Sequence, residues 1–485
     1  MTSASHPQIS RENRLVITAL VTATFVVILN ETIMNVALPR LMAELRIDAP
    51  TVQWLATAFM LTMSVVIPTT GFLLQRLTRR TVFILAMSLF STGTLLAALA
   101  PGFGILLLAR VVQASGTAIM LPLLMTSVLT LVPVARRGQV MGTVSIVISV
   151  APAIGPTLSG LILQFLSWRF MFLTVLPIAL AALVFGARKL GGSAAGERPR
   201  LDALSVVLTV PAFGGVVYGL SQLTGSGSGL GPALPLAVGV LALALFVWRQ
   251  LMLQRSGSPL LDLRAFTHPM YTVATALLVV GMIALFGVII LLPIYLQQVR
   301  GLDTLSTGLL LLPGGLVMGL LAPTVGKWFD RVGPVPLTLT GTTLMTAVLF
   351  ALTSLTVDTP VWFVLAMHVV LSLGLALLFT PAFTSGLNPL PPHLYSHGSA
   401  ILSTLQQVAG AAGTALLVGV MASQTHSSAA SGATSSAIEA QLSGFRAAFL
   451  VAAIVAIASI VLAAFLRNRP AVPAPEGAEP TAAVH

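Results

Sequence analysis

The sequence predicts an all-α integral membrane protein of fourteen spanning helices, built as two six-helix bundles with two helices inserted between them. Three observations carry this. Only 8% of the 485 residues are charged and 56% are hydrophobic, whereas a soluble chain has roughly a quarter of its positions charged. Fourteen apolar stretches reach the length of about 20 residues that a spanning helix needs. The chain also repeats itself across its two halves, in one register.

The stretches cover 15–38, 51–74, 81–99, 104–132, 138–163, 168–188, 201–223, 232–252, 270–295, 305–326, 336–355, 361–385, 398–422 and 445–467. The first is too long for a signal-peptide core, holds Glu31 and Asn35, and lacks a small-residue cleavage site. The charges test the count independently. With the N-terminus in the cytoplasm, the inner segments hold Arg11, Arg14, Arg76, Arg79, Arg80, Arg136, Arg137, Arg188, Lys189, Arg198 and Arg200. Arg249, Arg255, Arg264, Lys327, Arg331, Arg467 and Arg469 bring the inner set to 18 of the 24 Lys and Arg residues. That is the positive-inside bias of a multi-pass protein with both ends in the cytoplasm.

The repeat is read at three places. Gly71-Phe72-Leu73-Leu74-Gln75-Arg76 after helix 2 resembles Gly326-Lys327-Trp328-Phe329-Asp330-Arg331 after helix 10. Ala37-Leu38-Pro39 ends helix 1 as Leu291-Leu292-Pro293 ends helix 9, and Arg110 in helix 4 stands where His368 stands in helix 12. The offsets run from 254 to 258 residues. Internal repeats of this kind mark secondary transporters. The expected organisation is a cytoplasmic N-terminus (1–14), an N-terminal bundle (15–188), a cytoplasmic linker (189–200), two inserted helices (201–255), a C-terminal bundle (256–467) and a disordered cytoplasmic tail (468–485). The Ser/Ala-rich stretch 423–444 reads as an outer loop.

Away from the ends of the apolar stretches stand one carboxylate, Glu31, and one arginine, Arg110. A mid-membrane charge costs a few kcal/mol even on the mildest scales, so such residues are functional candidates by default. Glu31 lies about 10 Å and Arg110 about 9 Å from the outer ends of their stretches at 1.5 Å per residue, so the two share a depth. Each belongs to a polar stripe at helical spacing: Thr24, Glu31 and Asn35 on helix 1, and Arg110, Gln113 and Thr117 on helix 4. Such stripes are expected to face a cavity. Desolvation and a nearby guanidinium act on a buried carboxyl in opposite senses, which suits a group that binds and releases protons. The plainer reading is a structural ion pair that fixes helices 1 and 4. His368 offers a titratable group for proton relay, or a hydrogen-bonded histidine and nothing more.

Helix 5 carries Pro152, Gly155 and Pro156, then Gly160. Small residues let helices approach closely and prolines bend them, giving either ordinary tight packing or a seam on which bundles rock. Helix 13 has a counterpart in Gln406, Gln407, Gly410 and Gly413.

The chain has no cysteine, which excludes disulfides, thiolate zinc sites and cysteine nucleophiles. The net charge of +11 is spread over short loops, forming no patch, so nucleic acid is not an expected partner. No enzyme motif or dense metal-ligand cluster is present, and without a nucleotide-binding loop transport would run on an ion gradient. A channel is disfavoured because there is no charged ring or filter sequence.

Leu29-Asn30-Glu31-Thr32-Ile33-Met34-Asn35-Val36-Ala37-Leu38-Pro39 resembles the helix 1 signature of the major facilitator superfamily, in its fourteen-helix EmrB/QacA-type drug–proton antiporter branch. The usual aspartate position is Asn30 here and the acid is displaced to Glu31, as in the lincomycin-resistance-like group. Gly71 to Arg80, with Arg76, is similar to the cytoplasmic loop motif, with Gln75 in place of aspartate; the copy from Gly326 keeps Asp330, Arg331 and Gly333. Arg110 to Gly116 resembles the helix 4 motif, and Gly155-Pro156 with Gly160 the helix 5 antiporter motif. Trp168-Arg169-Phe170-Met171-Phe172 matches the start of helix 6.

The resemblance covers about Leu15 to Leu466. It implies a major facilitator fold whose bundles rock about a central cavity lined by helices 1, 4, 9 and 12. It further implies a monomer in a bacterial cytoplasmic membrane, with no cofactor beyond the proton gradient, exchanging protons for a small amphiphilic substrate. Glu31 would be the coupling acid. A dedicated exporter of one metabolite, such as a self-made antibiotic, is the alternative; a periplasmic or outer-membrane partner stays open.

Overall fold

The computed structural model describes residues 9–191, 202–222, 230–256, 259–430 and 436–467. The cytoplasmic tail, most of the linker 189–200 and the first eight residues, all expected to lie outside the bundles, fall outside the described residues. Among those described, every regular element is helical and fourteen helices are long and apolar enough to span a bilayer.

The helices are α1 (Arg11–Leu45), α2 (Ala49–Arg76), α3 (Arg79–Ala98), α4 (Phe103–Leu131), α5 (Arg137–Phe165), α6 (Arg169–Lys189), α7 (Ala203–Gln222) and α8 (Leu230–Ser256). The second half holds α9 (Pro269–Ile294), α10 (Thr304–Val332), α11 (Pro334–Ala351), α12 (Val361–Leu387), α13 (Tyr395–Ala430) and α14 (Ala437–Phe465). Many starts are written in the sequence as side-chain caps. Ser10, Asp48, Thr78, Asp202, Asp303 and Ser436 each accept a backbone N–H of the first turn, satisfying donors that have no partner within the helix. Gly333, at φ +80°, makes the turn between α10 and α11, a conformation that favours glycine.

Two expectations are corrected. The first helix does not stop at residue 38 but continues to Leu45. The described part of the stretch 423–444 is mostly helix rather than loop: α13 runs to Ala430 and α14 begins at Ala437. Alanine is the best helix former, and Ser428 finds a partner without leaving the helix, pairing with Ser443 across the two helices at 2.7 Å.

Helices α1 to α6 pack together, as do α9 to α14, and the two bundles meet along α5–α10 and α2–α13. These two seams are equivalents under the sequence repeat, which maps α2 onto α10 and α5 onto α13. Along α5–α10, backbone meets backbone. An ideal Cβ on Gly138 would stand 2.8 Å from the Gly326 carbonyl, and one on Gly142 would stand 2.3 Å from that of Ala322. Among the described residues, the inserted helices lie at the other seam. Helix α7 touches both α2 and α13, with Gly214 against Val65 and Tyr218 stacked on Trp54 at 5.7 Å. Its middle is a π turn, Val210–Gly214, at Pro211, whose missing N–H leaves a gap in the regular ladder.

The basic residues at the ends of α2, α6, α8 and α10 and at the starts of α1, α3 and α5 gather at one end of the molecule, called the basic end below. At the opposite end arginines serve as staples: Arg169 donates to the Ala100 carbonyl at 2.9 Å and Arg446 to that of Leu355 at 2.8 Å.

Candidate functional site

Glu31 and Arg110 come together inside the N-terminal bundle, from α1 and α4. Glu31 is surrounded by protein and is half-buried as a residue. Its neighbour Asn30, at the usual aspartate position, is 2% exposed and sits in the packed face of α1 with its side-chain oxygen unpartnered. One residue of displacement, a 100° turn, therefore moves the acid from a closed position in the packed face to a half-buried one.

Arg110 is 1% exposed. Its Nε donates to the Leu55 carbonyl at 3.4 Å and its Nη1 to Gln113 Oε1 at 2.6 Å. The guanidinium carbon lies 3.9 Å from the centre of the Phe59 ring. Gln113 in turn donates to Thr94 Oγ1 at 2.8 Å, tying in α3. Arg110 and Glu31 sense each other electrostatically, but no hydrogen bond or ion pair within 4 Å joins them among the described residues. The direct structural ion pair is thus not what the geometry shows.

The rest of the expected stripe is placed differently from the sequence reading. Thr24, Gln113 and Thr117 are buried in the bundle, and the two threonine hydroxyls donate back to the carbonyls of Leu20 and Gln113. Asn35 lies on α1 and Pro156 on α5, but their side chains are outside those described. His368 is not brought to the Glu31–Arg110 pair. It lies within the C-terminal bundle, its Nε2 3.0 Å from the Leu311 carbonyl of α10, its ring against the bare backbone of Gly314, and its Nδ1 without a partner.

Of the helix 5 motif, Gly155 is where α1 and α5 touch: an ideal Cβ there would stand 2.2 Å from Thr32 Oγ1. Thr32 also reaches the Ala151 carbonyl at 3.4 Å. The residue next to Glu31 is therefore seated in the α5 motif. Pro152 lies one turn earlier and Gly160 has open space beside it.

The two loop motifs act as latches at the basic end. Gly71 lets His397 approach α2, and Gln75 Nε2 lies 2.7 Å from His397 Nε2. In the second copy, Gly326 packs on Gly138 and Asp330 accepts the Gln139 backbone N–H at 3.2 Å, at the N-terminus of α5, where the helix dipole favours an anion. Arg76 rests near the Phe72 ring at 5.8 Å, and Arg80 and Arg331 are exposed. Arg137, counted from sequence only as a loop charge, is buried between the bundles. It donates to Asn388 Oδ1 at 3.1 Å, to Tyr395 Oη at 3.4 Å and to the carbonyls of Leu129 and Val132. Ser145 and Thr380 pair at 2.9 Å. Among the described residues, every hydrogen bond between the bundles lies at the basic end or within about two helical turns of it.

The profile of the Major Facilitator Superfamily matches residues 20–414. The uncharacterized MFS-type transporter YcnB of Bacillus subtilis is 41% identical over 95% of this chain and 97% of its own. The lincomycin resistance protein LmrB of Listeria monocytogenes is 40% identical over 93% and 96%, and a multidrug resistance protein B homolog of Mycobacterium tuberculosis is 30% identical over 80% and 72%. In fold, the chain is similar to the human organic anion transporter MFSD10 (TETRAN), with a TM-score of 0.67 at 16% identity, covering 93% of this chain and 99% of that one. The chain belongs to the Major Facilitator Superfamily and is a multi-pass membrane transporter rather than an enzyme.

Proposed function

We propose that the chain is a proton-coupled antiporter that exports hydrophobic drugs or antibiotics across a bacterial cytoplasmic membrane, with Glu31 as the coupling acid. The observation that carries the reading is a half-buried carboxylate well inside a membrane span, beside a guanidinium that does not neutralise it by contact. The lincomycin and multidrug resistance relatives support the substrate class.

Taking the basic end as cytoplasmic, the latches describe the form closed toward the cytoplasm. In this form Glu31 exchanges its cargo with the outside. Proton uptake there removes the charge that holds the cleft open to water, the bundles rock, and loss of the proton inside accompanies drug capture. Thr32 in the α5 motif makes α1 follow α5 in that motion. The chain works as a monomer in the bilayer and needs no cofactor beyond the proton gradient.

Drug-evoked proton release in inverted membrane vesicles tests this, using a lincosamide, a dye and a quaternary ammonium compound. Wild type is expected to release protons with several of them and Glu31→Gln with none, at equal expression. Full release by the mutant overturns the coupling role, and no release by wild type with any compound points instead to an exporter of one metabolite.

A further inference from the structure

We infer that Phe59 on α2 is a positioning residue that holds the Arg110 guanidinium off the Glu31 carboxylate. The inference deepens the antiport reading and rests on it. A buried guanidinium within electrostatic reach of a carboxylate gains most by closing on it, since fork-shaped bidentate pairing is the strongest contact available to both groups. Here the pair stays open, so other contacts hold the arginine.

Three groups do this, and each fixes a different freedom. The Leu55 carbonyl takes the Nε edge at 3.4 Å. Gln113 takes Nη1 at 2.6 Å, and its own amide is oriented by Thr94, whose hydroxyl is spent on the Phe90 carbonyl at 2.7 Å. Both contacts lie along the edge of the guanidinium and leave its faces free. The Phe59 ring covers one face, lying over the guanidinium carbon at 3.9 Å, where the ring's negative face attracts a desolvated cation.

Leu55 and Phe59 are four residues apart and so share one face of α2. The same helix carries Trp54 against Tyr218 and Gly71 against His397. The posture of Arg110 is thereby set by a helix of the inter-bundle seam. Holding the charge at a distance has a chemical purpose. A carboxylate in a bidentate ion pair stays ionised and cannot cycle a proton, whereas one that only feels the field can.

The test uses purified full-length protein in nanodiscs, with dicyclohexylcarbodiimide as probe, because it modifies protonated carboxyl groups in apolar surroundings. Labelling of Glu31 is read by mass spectrometry, and drug–proton exchange is read in proteoliposomes. Phe59→Leu is expected to slow Glu31 labelling about tenfold, the scale of a desolvated cation–π contact. Its maximal exchange rate should fall in parallel while the drug KM stays within about twofold. Phe59→Tyr keeps the ring and should restore both, and Phe59→Met, similar in bulk, reproduces the leucine phenotype if that variant folds poorly. Unchanged labelling in Phe59→Leu and Phe59→Met overturns the inference, as does a Phe59→Tyr as impaired as they are. Labelling needs no transport, so a wild type that exchanges no protons defeats the functional reading while the posture of Arg110 is still decided.

Discussion

At the scale of single residues, the two glycines of the α5 motif make opposite predictions. Gly155 has Thr32 at van der Waals limits, with an ideal Cβ 2.2 Å from its hydroxyl. Gly155→Val must push α1 from α5 beside Glu31, and vesicle transport is expected to be lost at normal expression. At Gly160 an added Cβ would meet nothing within 4 Å beyond its own stretch of helix. Gly160→Ala should transport normally and unfold at higher temperature, because the unfolded chain loses freedom worth about 0.4–1 kcal/mol. Transport by Gly155→Val at the wild-type rate would show that this approach of α1 to α5 is dispensable. Glu31 and Arg110 were legible in the sequence because a charge amid apolar residues is conspicuous. Phe59 was not, since one more phenylalanine in an apolar run carries no signal. Arg137 was hidden differently, standing beside Arg136 and reading as a second loop charge although its guanidinium is buried between the bundles.

At the scale of elements, the inserted pair is held by a compact polar joint. Asp202 caps α7 by accepting the Ser205 N–H at 3.1 Å, and Arg249 of α8 grips the same carboxylate with two 2.7 Å bonds. Gln250 donates to Ser205 at 2.8 Å and accepts the N–H groups of Leu260 and Leu261, fastening α8 to the segment that leads into α9. The Arg249 hydrogen bonds, foremost, hold the Asp202 carboxyl at about 2, against an ordinary 3.8. A carboxyl lowered on folding stabilises the fold above its unfolded value and loses that contribution as pH falls through the folded one. The contribution is therefore complete at neutral pH and shed only between about 4 and 2. Asp202→Ala should cost about 1 kcal/mol through the lost cap, read as a lower Tm in detergent at pH 7 and still at pH 5. Asp202→Asn, which can cap but not pair, should cost less, since a partly exposed ion pair contributes about 0–1 kcal/mol. Equal losses in the two variants would place the stabilisation in the charge. The length of the apolar runs was enough to find α7 and α8. The π turn of α7 was not legible, because Pro211 marks a break without saying which way the ladder closes around it. The extension of α13 was missed for the reverse reason: serine and alanine look like a loop and fold as a helix.

At the scale of the whole molecule, the two seams are closed at one end by unlike chemistry. Asp330 sets a carboxyl group against the N-terminus of α5, while Gln75 and His397 meet as amide and imidazole where the usual motif would carry an acid. The chain has no cysteine of its own, so a pair placed at Ser145 and Thr380 reports this closure without background. Their hydroxyls lie 2.9 Å apart, and the double cysteine variant should cross-link with a short bifunctional reagent and stop transport. Drug on the basic side should slow the cross-linking. Rapid cross-linking that leaves transport intact would show that this end need not open. The repeat register, which sets helix 2 against helix 10 and helix 5 against helix 13, accounts for the equivalence of the two seams. What it could not foretell is that α7 and α8 lie over one of them only, since no feature of an apolar helix names the groove it will occupy. The consequence reaches the surrounding membrane. Acyl chains can lie against the line where α5 slides on α10, but at α2 and α13 they meet the outer wall of a protein strut. The bilayer therefore reaches the line between the bundles on one side only, and membrane thickness and tension act on that line off-centre.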